Sequence, residues 1–556
     1  MALGWFSLRQ LRYARRYRQI LRVLVKYGFA QILAQMNLYG IWERIYCRRG
    51  CRGELPHNPE ARLRMALEEL GPAFVKVGQL LSTRADLLPA SLTRELSHLQ
   101  DEVAPFPPPQ VREIIETGLK GPLEQIFQSF DEEPLAAASI GQVHRAVLQS
   151  GETVAVKVKR PGIDTLIKND LDILVELASL VERKATPEAF FQFSDMAREI
   201  RKIILRELDY QAEARNAQRL RQNMGDSESV YVPRVYWAYT THDILTLEFR
   251  QGISLSRYLE RPLPGTDPQH IAAILTESFF KQVFIYGFFH GDPHPGNIAV
   301  LPDGRLFFMD FGSAGYISED LRGQMVLLFR SFQQMDPVAM VDELLSFAFV
   351  PPVINRSELI RDIALLQEQY YEVPLKEINL SEALQDLMRV GARHHLRFPY
   401  EFLLLAKALL TLEGTVARLS PDFNLAEAVQ RYGSALKGRQ LKYAARRLKG
   451  TLRSYQRLAE EMPERTVEIL RSTAAGELKI KIEIEHPDTA LKILENTINR
   501  LAFSVVLAGL LIGLSQNISF ANMGWLSRIP LGEIALVGLG LAGMWWLFAI
   551  IRSGRL

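Results

Sequence analysis

Cysteine is nearly missing from this chain. Its 556 residues carry two, Cys47 and Cys51, which excludes a disulfide scaffold and makes a reducing compartment the default. On a helix their i, i+4 spacing puts both thiols on one face, but no further ligands stand nearby to complete a metal or redox centre. Net charge is also scarce: +3 over the whole length argues against a dedicated nucleic-acid binder. The chain has no internal repeat and no low-complexity tract. Near its start no apolar run precedes a small-residue cleavage site, so a secretory signal peptide is not expected. The Arg-rich, acid-poor start leaves an organelle transit peptide open, with little Ser to support it. What is abundant is core-forming material: 48% of residues are hydrophobic and 23% charged, and 28 are Phe. That composition suits two to four folding units at about 100–200 residues each.

The ends differ from the middle. Between Met1 and Lys26 lie seven basic residues (Arg9, Arg12, Arg15, Arg16, Arg18, Arg22 and Lys26), and the first acid is Glu43. Trp5, Phe6, Leu11, Ile20, Leu21, Val23 and Leu24 alternate with them at helical spacing. Such a helix either lies on an anionic membrane surface or docks on the protein's own core. At the other end, 501–514 is apolar apart from one Ser, and 534–551 runs without a charge. About 20 helical residues span a hydrocarbon layer of about 30 Å, so the two segments predict a transmembrane helical hairpin. Lys492, Arg500, Arg552 and Arg555 flank it, which puts the large domain and the C-terminus on the cytoplasmic or equivalent side. Glycines at 509, 513, 538, 540 and 543 permit close packing in lipid. The alternative is a buried hydrophobic hairpin. Leu478, Ile480, Ile482 and Ile484 alternate with charged residues and predict a half-exposed strand.

The globular region holds the chemistry. Residues 134–159 read PLAAASIGQVHRAVLQSGETVAVKVK, a strand, a small-residue loop and a strand hairpin with Lys157 inside VAVK. A strand-borne Lys after a loop of minimal side chains is how kinases hold ATP phosphates. Here the loop is Ala136-Ala137-Ala138-Ser139 in place of a glycine-rich one. Further on, HGDPHPGN (290–297) places Asp292 and Asn297 at catalytic-loop spacing, and FMDFG (308–312) supplies Asp310 as a Mg²⁺ ligand. A short hairpin between them predicts that both metal ligands meet at one edge. The acid that positions Lys157 comes from a charged helical stretch, 196–220, with Glu207, Asp209 and Glu213 as candidates. Asp209 and Glu213 share a face at i, i+4, and Glu213 is favoured.

With these residues in hand, the chain resembles the UbiB family of atypical kinase-like proteins. Four blocks carry the likeness: FVKVGQLLSTRADLLP (74–89), AAASIGQVHRA with VAVKVKRPG (136–162), ELDYQAEARN (207–216), and HGDPHPGN with DFG (290–312). The resemblance implies a two-lobed kinase-like α+β fold, a helical N-terminal extension and the C-terminal hairpin. It makes Lys76, Gly78 and Gln79 a KxGQ motif and Glu207 with Asp209 an ExD motif, with Lys76 reaching these acids or the phosphates. Asp292 and Lys76 are then the catalytic residues, and Asn297 and Asp310 the metal ligands. Glu248, Phe249 and Arg250 join Ala136, Ala137, Ala138, Ser139, Lys157 and Glu213 as nucleotide-binding residues.

The implied cofactors are ATP/ADP and Mg²⁺. The implied activity is ATP hydrolysis in support of prenylquinone or other isoprenoid-lipid biosynthesis, with protein phosphorylation disfavoured. The segment after the DFG shows no APE-like sequence, and HGD lacks the Arg of a kinase HRD. The rivals are a small-molecule or lipid kinase and a nucleotide-binding scaffold. Expected partners are anionic membrane lipids, isoprenoid or quinone precursors and quinone-biosynthesis enzymes, with no nucleic acid. The expected organisation is a basic segment (1–44), the extension (45–130), an N-lobe (131–250), a C-lobe (251–440), a linker (441–498) and two spans (499–551).

Overall fold

The computed structural model describes residues 8–30 and 58–428, except 83, 85–87, 100–102, 183–192, 226, 352–353, 372, 374–377, 424 and 426–427. The chain divides into two compact units, 1–450 and 451–556. The second lies outside the described residues, and with it the expected strand at 478–484 and both expected spans; Cys47 and Cys51 also fall outside. Among the described residues no helix is long and apolar enough to cross a membrane.

The basic N-terminal segment forms helix α1 (Leu8–Lys26), and one face of it docks on the protein itself, while Arg15, Arg18 and Arg22 are exposed. Ile20, Val23 and Tyr27 are buried in the main core. Arg16 clamps Asp170 through Nε at 2.7 Å and Nη2 at 2.6 Å, and Tyr17 donates to Glu176. Lys26 pairs with Glu69 at 2.5 Å. One face of α1 therefore packs on the protein, as the second of the two readings expects, with acids on other helices taking Arg16 and Lys26.

The extension follows as α2 (Pro59–Leu70), α3 (Pro72–Ser82) and α4 (Ala90–Leu96). Asn58 caps α2 by accepting from the Glu60 N–H, and Gly71 ends it at φ 98°. Next come α5 (Pro108–Leu119) and α6 (Leu123–Ile126). Val111 and Ile115 of α5 pack against Val154, Val156 and Val158, so this helix, expected in the extension, shares the core of the N-lobe sheet.

That sheet runs β1 (Phe127–Phe130), β3 (Gly141–Leu148), β4 (Thr153–Lys159), β6 (Ile244–Glu248), with β2 (Ala136–Ala137) added on β3. All its pairings are antiparallel, and Lys157 stands opposite Val143 on one side and Leu245 on the other. Alternation sends the three valines of β4 into the core and Lys157 to the opposite face. On that side α9 (Tyr210–Met224) packs against β6, and α7 (Ile163–Glu182) and α8 (Phe193–Glu207) pack on each other and on the extension. The charged stretch is thus two helices. Asp209 leaves helical geometry and caps α9 by accepting from the Gln211 N–H at 3.0 Å, so it does not share a helix face with Glu213 as expected.

The C-lobe contains a second sheet in the order β5 (Val230–Tyr231), β10 (Leu306–Phe308), β9 (Ile298–Val300), β7 (Ile253–Ser254). A separate pair joins β8 (Phe288–His290) to β11 (Ala314–Tyr316). Helices α10 (Leu255–Glu260) and α11 (Pro268–Phe280) precede a π-helical turn at Lys281–Tyr286. Then follow α12 (Glu319–Gln333), α13 (Pro337–Phe347), α14 (Arg356–Glu368), α15 (Leu380–Arg393) and α16 (Tyr400–Leu419). Most of these last helices share their own apolar core around Leu344, Ile363 and Leu403.

Candidate nucleotide site

Of the three candidate acids, Lys157 meets Glu213: Nζ lies 2.9 Å from both carboxylate oxygens and 3.5 Å from Asp310 Oδ2. Glu213 is 3% exposed, and its Oε1 also accepts from the Phe311 N–H at 3.4 Å. Asn216, on the same helix, donates to the Phe311 carbonyl at 3.0 Å. The first turn of α9 thus ties the N-lobe lysine to the DFG backbone. Burial pushes Lys157 down, but Asp310 and then Glu213 raise it well above its ordinary value, so it stays an ammonium. Burial likewise pushes Asp310 up. Lys157, the Gly312 N–H and Lys76 outweigh it and hold the carboxyl at about 2.

The small-residue loop is built for its alanines. Ala136 and Ala137 pair with Val143 and Gln142, and the Ala138 N–H closes a turn onto the Gly141 carbonyl at 2.8 Å. No residue of 136–140 adopts a positive φ, so the path never demands glycine. Ala136 and Ala138 are exposed. Two buried hydroxyls at this loop, Ser139 Oγ and Tyr210 Oη, have no hydrogen-bond partner among the described residues. Gly141 makes room for the tyrosine, since a Cβ there would collide with its hydroxyl. The Tyr210 ring lies under Lys157 and Lys159, with centroids 5.2 and 5.5 Å from the ammonium nitrogens.

On the opposite wall, His290 orders the catalytic loop. Its Nε2 faces the Asp310 carbonyl and must donate, while its Nδ1 accepts from the Asp292 N–H at 3.2 Å. That is a neutral imidazole, in keeping with the lowering of its pKa by burial. Gln282 of the π-helical turn accepts from the His290 N–H at 2.9 Å. Asn297 Nδ2 donates to the Asp292 carbonyl at 3.2 Å, which leaves its Oδ1 without a partner among the described residues. Hard divalent cations take oxygen ligands, so Asn297 Oδ1 and the ionised Asp310 carboxylate fit Mg²⁺.

The extension reaches the same place. Lys76 of α3 pairs with Glu207 Oε2 at 3.2 Å and acts electrostatically on Asp310. Gly78 is a close approach, because a side chain there would collide with Leu99, and Gln79 Nε2 donates to the Leu99 carbonyl at 3.2 Å. The two ExD acids separate in role: Glu207 takes the lysine, while Asp209 caps α9 and holds Arg215 at 3.0 Å.

Glu248, Phe249 and Arg250 sit apart from this cluster. Glu248 lies three residues along β6 from the level of Lys157, about 10 Å at strand rise. Its carboxylate accepts from Tyr231 Oη at 2.7 Å and Arg250 Nε at 2.9 Å, and Arg145 lies over the Phe249 ring. One residue absent from the sequence reading stands in the site: Lys407 of α16, with Nζ 3.5 Å from Asp292 Oδ2. Its only sequence signal is a single charge inside the apolar run 402–412. A second acidic group, Asp164 with His242 and Asp243, already holds the Lys159 ammonium, 2.9 Å from Asp243 and 3.3 Å from Asp164.

Three family models match in order: an ABC1 atypical kinase-like domain over 98–344, a UbiB helical domain over 363–424, and an ABC1/UbiB kinase-like C-terminal domain over 485–552. A probable protein kinase UbiB of Cellvibrio japonicus is 36% identical over 73% of this chain and 74% of its own. An uncharacterized Clostridium pasteurianum protein is 31% identical over 97% and 99%. The chloroplastic Arabidopsis thaliana protein Activity of bc1 complex kinase 7 is 33% identical over 83% and 67%. A solved Mycobacterium tuberculosis protein, Rv3197 with erythromycin, is 22% identical with a TM-score of 0.45, covering 66% of this chain and 93% of its own.

Proposed function

The chain belongs to the ABC1/UbiB family of atypical kinase-like proteins, and from that premise we propose that it is a Mg²⁺-dependent ATPase serving prenylquinone or related isoprenoid-lipid biosynthesis at a membrane. The observation that carries the reading is Lys157 held between Glu213 and Asp310, on a strand that follows the small-residue loop 136–139. The bound Mg²⁺, held by Asn297 and Asp310, would neutralise phosphate charge. Lys157 would pair with the α- and β-phosphates, and the backbone of 136–139 would lie over them. Ser139 Oγ and Tyr210 Oη are the hydroxyls free to turn towards a polyanion.

Asp292 orients the attacking water. A bond forms from the water oxygen to the γ-phosphorus, and the bond from that phosphorus to the β–γ bridging oxygen breaks. The electron pair leaves on ADP, and the water proton passes to the Asp292 carboxylate. Lys76, reaching in from the extension, supports a small acceptor over an extended peptide. The apolar segments 501–514 and 534–551 support membrane anchoring, with anionic lipids, quinone precursors and quinone-biosynthesis enzymes as partners.

The test is ATP turnover with and without Mg²⁺, anionic liposomes and quinone precursors. Mg²⁺-dependent phosphate release, stimulated by lipid, is the expected result. Nucleotide binding without turnover would point to a scaffold, and labelled phosphate on a lipid or precursor to a small-molecule kinase.

A further inference from the structure

Helix α16 is buried at every position from 402 to 409 except Lys407, whose side chain is 35% exposed. A lysine amid seven buried apolar residues gives up hydration that leucine or methionine would not need, so its partner must explain it. That partner is Asp292. Two contacts on one face of the helix fix α16 to the catalytic loop. At Leu404 the side chain fills the space in front of Gly291, where a Cβ would fall 2.9 Å from both of its methyl carbons. Three residues on, Lys407 Nζ stands 3.5 Å from Asp292 Oδ2. The Asp292 backbone is pinned separately, its N–H by His290 and its carbonyl by Asn297. Among the described residues no other cation lies within ion-pair distance of its carboxylate, and Oδ1 has no partner.

We propose that Lys407 is a positioning residue for phosphoryl transfer: it holds Asp292 through Oδ2 so that Oδ1 faces the attacking water and accepts its proton. The helical segment after the lobes then contributes to the chemistry as well as to the core. This inference rests on the proposed ATPase activity. The bonds made and broken are those already given, and Lys407 exchanges no proton in the step.

The experiment uses the full chain in four forms: wild type, Lys407→Met, Asp292→Asn and the double variant, with Lys407→Arg as the conservative rescue. Lys407→Met should lower kcat about ten- to a hundredfold while the Kd for Mg-ATP and the melting temperature stay put. Lys407→Arg should recover most of the loss. In the Asp292→Asn background, Lys407→Met should change kcat less than about twofold, because it acts through a group already removed. A wild-type kcat in Lys407→Met, independent multiplication of the two single effects, or a loss that arginine does not rescue overturns the proposal. Should Lys407→Met fail to fold, Lys407→Gln repeats the measurement; if neither neutral variant folds, the lysine is structural and the proposal falls. Wild-type protein without ATP turnover sinks the proposed function and this inference together. Turnover lost in Asp292→Asn but kept in Lys407→Met sinks the inference alone.

Discussion

Consider what happens when the Lys157–Glu213 pair is broken from either side. Glu213 is almost fully buried and Lys157 three-quarters so, with two 2.9 Å contacts between them. Removing one partner of a buried pair typically costs about 3–5 kcal/mol, because the other charge is left stranded. Glu213→Gln should cost less, about 2 kcal/mol, since Asp310 remains 3.5 Å from the ammonium and Lys157 keeps some access to water. Lys157→Met strands a carboxylate whose remaining donor is the Phe311 N–H; it escapes by taking up a proton, at about 2–3 kcal/mol. With both changes neither charge is stranded, so the double variant should lose no more than about 2 kcal/mol.

The coupling energy is then about 2–3 kcal/mol, read from urea denaturation of the four proteins followed by tryptophan fluorescence. Singles that sum to the double within about 0.5 kcal/mol would refute the reasoning, since the two groups would then act independently. Every variant lacking Lys157 should also lose Mg-ATP affinity, however stable it is.

Four further outcomes are expected. Asp310→Asn should abolish Mg²⁺-dependent nucleotide binding with the fold intact, measured by calorimetry and circular dichroism; unchanged affinity would remove the basis of the site. Ala138→Gly should cost at most about 1 kcal/mol, because Ala138 is exposed and only unfolded-state entropy is added, while nucleotide affinity shifts several-fold. Gly291→Ala should cost about 1–3 kcal/mol, since its Cβ would press on Leu404, and should lower kcat by displacing α16; full activity would contradict the close approach. The fourth concerns pH. His144 is fully buried, its Nδ1 donating to the Asp131 carbonyl, and burial lowers its pKa below 6.5. Below that value the unfolded chain binds a proton that the folded chain refuses, so this contribution is lost as pH falls. The slope is at most about 1.4 kcal/mol per pH unit, and His144→Gln should make the denaturation midpoint less sensitive to acid between pH 7 and 5.

What the sequence could reveal follows from the range of the forces involved. Lys157, Asn297 and Asp310 announce themselves because each motif is local: a β-branched strand, a five-residue spacing, a hairpin bounded by Pro302-Asp303-Gly304. The i, i+4 rule failed at Asp209 because a short acid can leave the helix and cap the next one, and that choice depends on how α8 and α9 pack on each other. For the basic α1, periodicity alone could not separate a membrane surface from a protein surface, since the acids that decide it, Asp170, Glu176 and Glu69, belong to later helices. Lys407 was out of reach for the same reason. A single charge in an apolar stretch of helix is a faint signal until the carboxylate it serves is found at its end.

These long-range contacts share a logic that bears on why the fold carries so much beyond two kinase lobes. Each element around the cleft contributes one charge: β4 gives Lys157, α9 gives Glu213, α3 gives Lys76 and α16 gives Lys407. The partners they meet stand on other elements, so a shift of any one element changes the balance at Asp292 or Asp310. Asp310 shows the result most directly, since burial alone would raise it and cations from two different elements bring it to about 2. The extension and α16 therefore act on this cluster through charge as well as through packing. On the proposed ATPase reading, a ligand that moved either would alter turnover without touching the phosphates.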